Sequence, residues 1–171
     1  MLMIVCKGNI CRSPMAEVVL RERFARAGLG DEVHVSSAGT TGEETGKQPD
    51  CGANAILIEA GYPDLQHQAR QVTAPDILRQ DLVLAMTVEG VEWLQRQAPT
   101  EESARRVALF RSFGAAEGGD GEGFANHLKA GGALDVPDPV HGDLDSFREA
   151  LQQIESAADP IVRNVRERIG R

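Results

Sequence analysis

The sequence predicts an α/β fold in three layers, α/β/α, with a four-stranded parallel sheet flanked by helices on both faces. Two patterns predict it. Apolar runs at 2–5, 82–86 and 107–110 read through without a polar break, as strands buried on both faces require. The segments between the candidate strands carry apolar residues at helical spacing, which gives the strand–helix alternation of a parallel sheet. Size agrees: 171 residues, 42% hydrophobic and 26% charged, suit one domain over 1–171 whose core needs neither disulfide nor metal.

The elements follow in order. Residues 2–5 make the first strand, which enters the tight loop Cys6-Lys7-Gly8-Asn9. Ser13-Pro14 predicts a helix start, with Ser13 as N-cap, Pro14 as first helical residue and Glu17 in the first turn. Ala16, Val19, Leu20, Phe24 and Ala27 keep its apolar face until Gly28 and Gly30 end it. A second strand is expected over 33–37, and a second helix over 49–60 closed by Gly61. The third strand spans 81–86, a helix spans 88–97, and 107–110 make the fourth strand. Residues 112–134 are Gly/Ala-rich with little periodicity and are expected to form a mobile loop. Phe147, Leu151, Ile154, Ala158, Ile161 and Val165 then mark one face of a last helix, with Asp159-Pro160 as a kink or restart.

Charge and cysteine usage exclude several classes of function. Lys+Arg 18 against Asp+Glu 26, a net charge of -8, argues against a nucleic-acid or anionic-membrane binder. No run of 18 apolar residues exists, and the opening residues turn polar too soon for a signal peptide, so a cytoplasmic protein is expected. Three Cys cannot make a disulfide framework, and His34, His127 and His141 show no metal-ligand spacing. The charge is unevenly spread. Residues 1–30 hold Lys7, Arg12, Arg21, Arg23 and Arg26 against Glu17 and Glu22, so five minus two leaves +3 around the first loop.

That loop, Cys6-Lys7-Gly8-Asn9-Ile10-Cys11-Arg12-Ser13, carries the chemistry. A loop from a parallel strand into a helix N-terminus turns its backbone N–H groups into a nest for anions. The helix dipole and Arg12 both favour a thiolate at Cys6. Arg12 can return to the same centre and grip two oxygens of a tetrahedral oxyanion. Gly8 permits close backbone approach or an unusual dihedral, and Asn9 tolerates a left-handed conformation while pinning the loop through its amide. Ser13 can donate a hydrogen bond to the sulfur, which eases its later departure. Downstream, Val136-Pro137-Asp138-Pro139 offers a carboxyl between two prolines that stiffen the backbone, a suitable general acid for a leaving oxygen. Asp135, Asp143 and Asp145 compete for that role but lack the paired prolines.

The stretch VCKGNICRSPMAE resembles the phosphate-binding loop of the low-molecular-weight protein tyrosine phosphatases, and the resemblance continues along the chain. Val35-Ser36-Ser37-Ala38-Gly39-Thr40 is similar to that family's second strand and its exit, and His67-Gln68-Ala69-Arg70 to its HxAR stretch. Residues 81–86 match its third strand, and Asp138-Pro139 with Gly142 and Phe147 its acid loop and last helix. The resemblance implies the phosphotyrosine protein phosphatase I-like fold and hydrolysis of phosphomonoesters on proteins by Cys6, Arg12 and Asp138. A phosphocysteine intermediate, inorganic phosphate as product and inhibitor, no metal or cofactor, and a monomer or weak dimer belong to the same expectation. Phosphate would lie on Lys7, Gly8, Asn9, Ile10, Cys11, Arg12 and Ser13, and Asn9, Ser37 and His67 would hold the loop. Cys11 either forms a reversible disulfide with Cys6 or packs as a structural thiol; Cys51 is expected to be structural.

The sequence also departs from the family. Val140 and His141 follow Asp138-Pro139, and Glu43 stands on the other wall, where tyrosine-specific members commonly carry aromatic rings. Stacking contributes about 1 kcal/mol per aromatic pair, so the change affects recognition rather than the chemical step. Thr87 stands where Asp is common. Glu43 suits a protein arginine phosphatase, whereas Ile10 resembles the tyrosine branch. A thiol-dependent arsenate reductase is disfavoured because no Cys follows Cys51. A phosphoprotein-binding module needs neither the thiolate nor the acid.

Overall fold

The computed structural model describes residues 1–115 and 133–170. Its strands are β1 (Leu2–Cys6), β2 (Val35–Gly39), β3 (Leu82–Ala85) and β4 (Val107–Leu109), all parallel, in the spatial order β2-β1-β3-β4. Strand β1 lies between β2 and β3, with Leu2 opposite both Val35 and Leu82. The chain leaves β1 for one neighbour and later crosses to the other, so the C-terminal end of β1 lies at the switch point where ligands of open α/β sheets bind.

The pleat divides the apolar runs between two cores. Leu2, Ile4 and Cys6 of β1 and Leu82 and Leu84 of β3 face a cluster with α1 (Arg12–Arg26), α2 (Cys51–Glu59) and α7 (Leu144–Arg168). Met3, Val5, Val83 and Ala85 face a second cluster with Ile77 of α3 (Ala74–Arg79) and Val91 and Leu94 of α4 (Val88–Gln97). Two further short helices, α5 (Glu101–Arg105) and α6 (Ser112–Ala115), flank β4. The three-layer α/β/α expectation therefore holds, with both sheet faces covered.

Several boundaries differ from the sequence reading. Strand β2 begins at Val35, two residues late, because the amides of Glu32 and Val33 close a turn on the Leu29 carbonyl. Helix α1 begins at Arg12 with Cys11 as N-cap, so Ser13 and Pro14 lie inside its first turn and Glu17 beyond it. Ser13 does not cap because its hydroxyl is engaged elsewhere. Helix α2 starts at Cys51, since the Asp50 side chain accepts the Gly52 amide at 2.8 Å. Helix α7 continues through Pro160 rather than restarting there. Helices α3 and α5 went unread, although each is announced by a threonine N-cap with its capping box, Thr73 with Asp76 and Thr100 with Ser103. In the expected loop, 112–115 form α6, and 116–132 lie outside the described residues. Among the described residues no helix is long and apolar enough to cross a membrane, and no cluster of His, Cys, Asp and Glu could hold a metal ion.

Candidate active site

An anion cradle must keep carbonyl oxygens out of its concave face. Here the body of the protein draws them outward. The Cys6 and Lys7 carbonyls accept the amides of Thr40 (2.9 Å) and Thr41 (3.1 Å), just past β2. The Ile10 carbonyl accepts the Asp50 amide at 2.9 Å, and the Cys11 carbonyl accepts Met15 N at 3.0 Å in the first turn of α1. His67 Nε2 lies 3.0 Å from the Asn9 carbonyl and 3.1 Å from Asn9 Oδ1. Both are acceptors, so Nε2 carries the proton.

Asn9 is the hub. It adopts φ 59, the left-handed region that asparagine tolerates. Its Nδ2 donates to Ser13 Oγ and Ser37 Oγ, both at 3.0 Å, while Oδ1 accepts the Arg70 amide at 3.0 Å. Its own backbone N–H donates to Cys6 Sγ at 3.2 Å. The Ser13 hydroxyl has one proton and two acceptors within reach, Cys6 Sγ at 3.0 Å and the Ala38 carbonyl at 3.3 Å. The sulfur is the nearer of the two. Gly8 has no positive φ, and a Cβ there would meet the Glu44 side chain at 3.1 Å, a tight contact that this side chain would have to relieve.

Arg12 is 5% exposed, which fixes its guanidinium at the floor of the site. Its Nη1 donates to the Val136 carbonyl at 3.2 Å, and its Nη2 pairs with the Asp138 carboxylate. The general-acid candidate and the phosphate-gripping candidate thus meet directly, although 126 residues separate them in the chain. The rival carboxylates are committed elsewhere. Asp135 accepts the Val88 amide, Asp143 N-caps α7, and Asp145 pairs with Arg148.

A cavity of about 320 Å³ opens over Cys6, Arg12 and Asp138. Glu43, Val140 and His141 line it, as do Ile10 and Glu44, so the wall candidates and the phosphate loop share one space. No Phe, Tyr or Trp lines it among the described residues. His141 adopts φ 70, with the Gly142 amide closing a turn on the Pro139 carbonyl at 2.8 Å. Burial lowers the His67 pKa from its ordinary value. Burial, reinforced by the charge of Asp50, raises that of Cys11, which is 2% exposed and stays a thiol. Cys51, expected to be structural, is exposed at the first turn of α2.

Sequence reasoning gave no role to Gly39 and did not place Trp93 near the site, where it lines a second cavity that also touches Cys6. A Cβ on Gly39 would stand 2.6 Å from the Lys7 carbonyl, so only glycine lets β2 pass this close to the loop. The signal lay in the stretch matched to the family's second strand. Trp93 sits on α4 and carries no motif of its own.

A cysteine sulfur under two hydrogen-bond donors, in a loop whose carbonyls are drawn outward at the switch point of a parallel sheet, defines an α/β protein with a candidate anion site. The particular kind follows from comparison. The chain belongs to the low molecular weight phosphotyrosine protein phosphatase family, whose model matches residues 1–170. It is 44% identical over 165 residues to a low molecular weight protein-tyrosine-phosphatase of Streptomyces coelicolor, covering 96% of this chain and 93% of the relative. Identity is 40% over 167 residues to low molecular weight protein-tyrosine phosphatase A of Mycobacterium tuberculosis, covering 98% and 92%. Among solved structures, a low molecular weight phosphotyrosine phosphatase of Vibrio cholerae superposes with a TM-score of 0.80 at 30% identity, covering 98% of this chain and 97% of that one.

Proposed function

We propose that the protein hydrolyses phosphomonoesters on proteins, phosphotyrosine foremost, with Cys6 as nucleophile, Arg12 as phosphate ligand and Asp138 as general acid and base. The observation that carries this reading is the convergence of Cys6, Arg12 and Asp138 on one cavity whose loop carbonyls are turned outward. Family membership supports a phosphorylated protein as substrate.

Substrate phosphate displaces the Asp138 carboxylate from Arg12, and its equatorial oxygens take the guanidinium and the loop amides. The Cys6 sulfur forms a bond to phosphorus as the bond to the ester oxygen breaks, and protonated Asp138 gives its proton to that leaving oxygen. In the second step Asp138, now a carboxylate, takes a proton from water, whose oxygen attacks phosphorus as the S–P bond breaks. The Ser13 hydroxyl receives the departing thiolate. The net reaction consumes water and yields the free hydroxyl and inorganic phosphate, which competes for the same cradle. Arg12 and the amides supply the positive field, so no step calls for a metal or cofactor. Cytoplasmic action as a monomer or weak dimer belongs to this reading.

The test is hydrolysis of p-nitrophenyl phosphate and a phosphotyrosine peptide in the presence of chelator. Cys6→Ser is expected to abolish turnover, and retained activity overturns the assignment. Asp138→Ala is expected to lose about 10²–10⁴-fold with poor leaving groups and far less with p-nitrophenol. Equal losses across leaving groups would remove Asp138 from the role. Glu43 at a wall without aromatic rings favours phosphoarginine as a second substrate class, and a phosphoarginine peptide run beside the phosphotyrosine peptide decides between them.

A further inference from the structure

A second cavity, of about 360 Å³, meets the first at Cys6, Lys7, Arg12, Thr41 and Asp138 and then diverges toward α4. Its far wall is built by Thr87, Glu89, Gly90 and Trp93. We propose that this branch is a specificity subsite that takes a cationic side chain, Arg or Lys, flanking the phosphorylated residue of the substrate. The proposal rests on the phosphatase reading above.

Three observations carry it. Trp93 is the chain's only tryptophan, and it is half-buried against the second core while lining this branch, which fixes the ring in place. An indole is the best side chain for contact with a cation, and one held in place loses little freedom in making it. Glu89 lies four residues earlier on α4, so it shares the face of Trp93. It is exposed and lines the same branch. Ring and carboxylate together are the pair that selects a guanidinium or ammonium over an acid. Thirdly, the rest of the local charge is accounted for. With substrate bound, Arg12 exchanges its pairing with Asp138 for the phosphoryl group and Asp138 carries the proton of the general acid, so neither leaves an unmatched charge in this branch. Lys7, the one other cation lining this branch among the described residues, lies in the phosphate loop, where the bound phosphoryl group, of charge about −1.5 to −2, offsets it. Glu89 is left facing the incoming peptide. In the first branch Glu44 is held by Lys47 at 2.5 Å, which leaves Glu43 as the carboxylate that favours a basic flank there.

The experiment compares kcat/KM for phosphotyrosine peptides that carry a single Arg, Leu or Glu at each of the two positions on either side of the phosphotyrosine. The readout is the Arg/Glu and Arg/Leu ratio within one enzyme preparation, which does not depend on the fraction folded. In the unaltered protein Arg is expected to win by about fivefold or more at one position at least, as a cation–π contact and a carboxylate together provide. Trp93→Ala and Glu89→Gln should each pull that ratio toward one. Glu89 is exposed, so its variant reads out even where Trp93→Ala folds poorly. Tryptophan emission gives a direct check: adding the Arg-flanked peptide to Cys6→Ser should change it more than the Glu-flanked peptide does. Ratios near one in the unaltered protein, Leu equal to Arg, or a preference that both variants retain would overturn the subsite. Failure to hydrolyse any peptide or p-nitrophenyl phosphate would instead strike the phosphatase reading.

Discussion

Ser13 shows how one side chain can be legible in type and misread in task. The Ser-Pro pair points to an N-cap, yet the hydroxyl lies 3.0 Å from Cys6 Sγ and the helix starts two residues earlier. A hydroxyl aimed at sulfur matters most when the sulfur must leave as an anion. Ser13→Ala is therefore expected to slow breakdown of the phosphocysteine about ten- to a hundredfold, the range of a hydrogen bond to a charged group. A burst of p-nitrophenol followed by a slow steady state would report it, and a slowed burst with no accumulation would count against it. Asp138 is the opposite case. Its prolines marked it in the sequence, but only the fold removes its rivals, by engaging Asp135 at α4, Asp143 at the α7 cap and Asp145 with Arg148.

At the scale of the element, the strands were readable because parallel strands buried on both faces leave continuous apolar runs. Their ends were not, because turns and caps decide them. Two contacts between elements yield predictions. Strand β2 passes the phosphate loop at Gly39, where a Cβ would stand 2.6 Å from the Lys7 carbonyl, a backbone atom with no room to yield. Gly39→Ala is expected to cost about 1–3 kcal/mol in denaturant unfolding, the usual range for overpacking. It should lower kcat/KM by tenfold or more, since the cradle itself moves. Unchanged kinetics would show that the approach tolerates a methyl group. Pro160 lies inside α7, where a proline lacks the N–H for the helical bond and crowds the preceding turn. Pro160→Ala is expected to stabilise the fold by about 1–3 kcal/mol, seen as a Tm rise of several degrees. A fall in Tm would mean that packing of the proline ring outweighs the restored backbone bond.

For the whole molecule, the depressed pKa values of His67 and Asp76 act in the same direction. Burial lowers the pKa of His67. For Asp76 burial pushes upward, but hydrogen bonds from Thr73 and the charge of Arg70 outweigh it, and the net shift is downward. In each case the unfolded chain binds its proton at a higher pH than the folded one, so stability is complete above the unfolded value and is lost as pH falls through the folded value. The His67 window opens below about pH 6.5, and the Asp76 window below about pH 3.9. Tm should therefore fall between pH 7 and 5, and His67→Gln should flatten that slope; parallel slopes would refute the assignment. By itself the sequence determined the layered α/β class and the cradle from Cys6 to Ser13, because a strand, a tight loop and a helix start joined covalently have few ways to be arranged. Only the tertiary structure decided which carboxylate meets Arg12, how His67 and Ser37 reach Asn9, and that the lone tryptophan lines a branch beside the nucleophile. Those residues lie 28 to 126 positions from their partners. Nothing local sets such distances; they follow from sheet register and from the packing of two cores, which the whole chain settles at once.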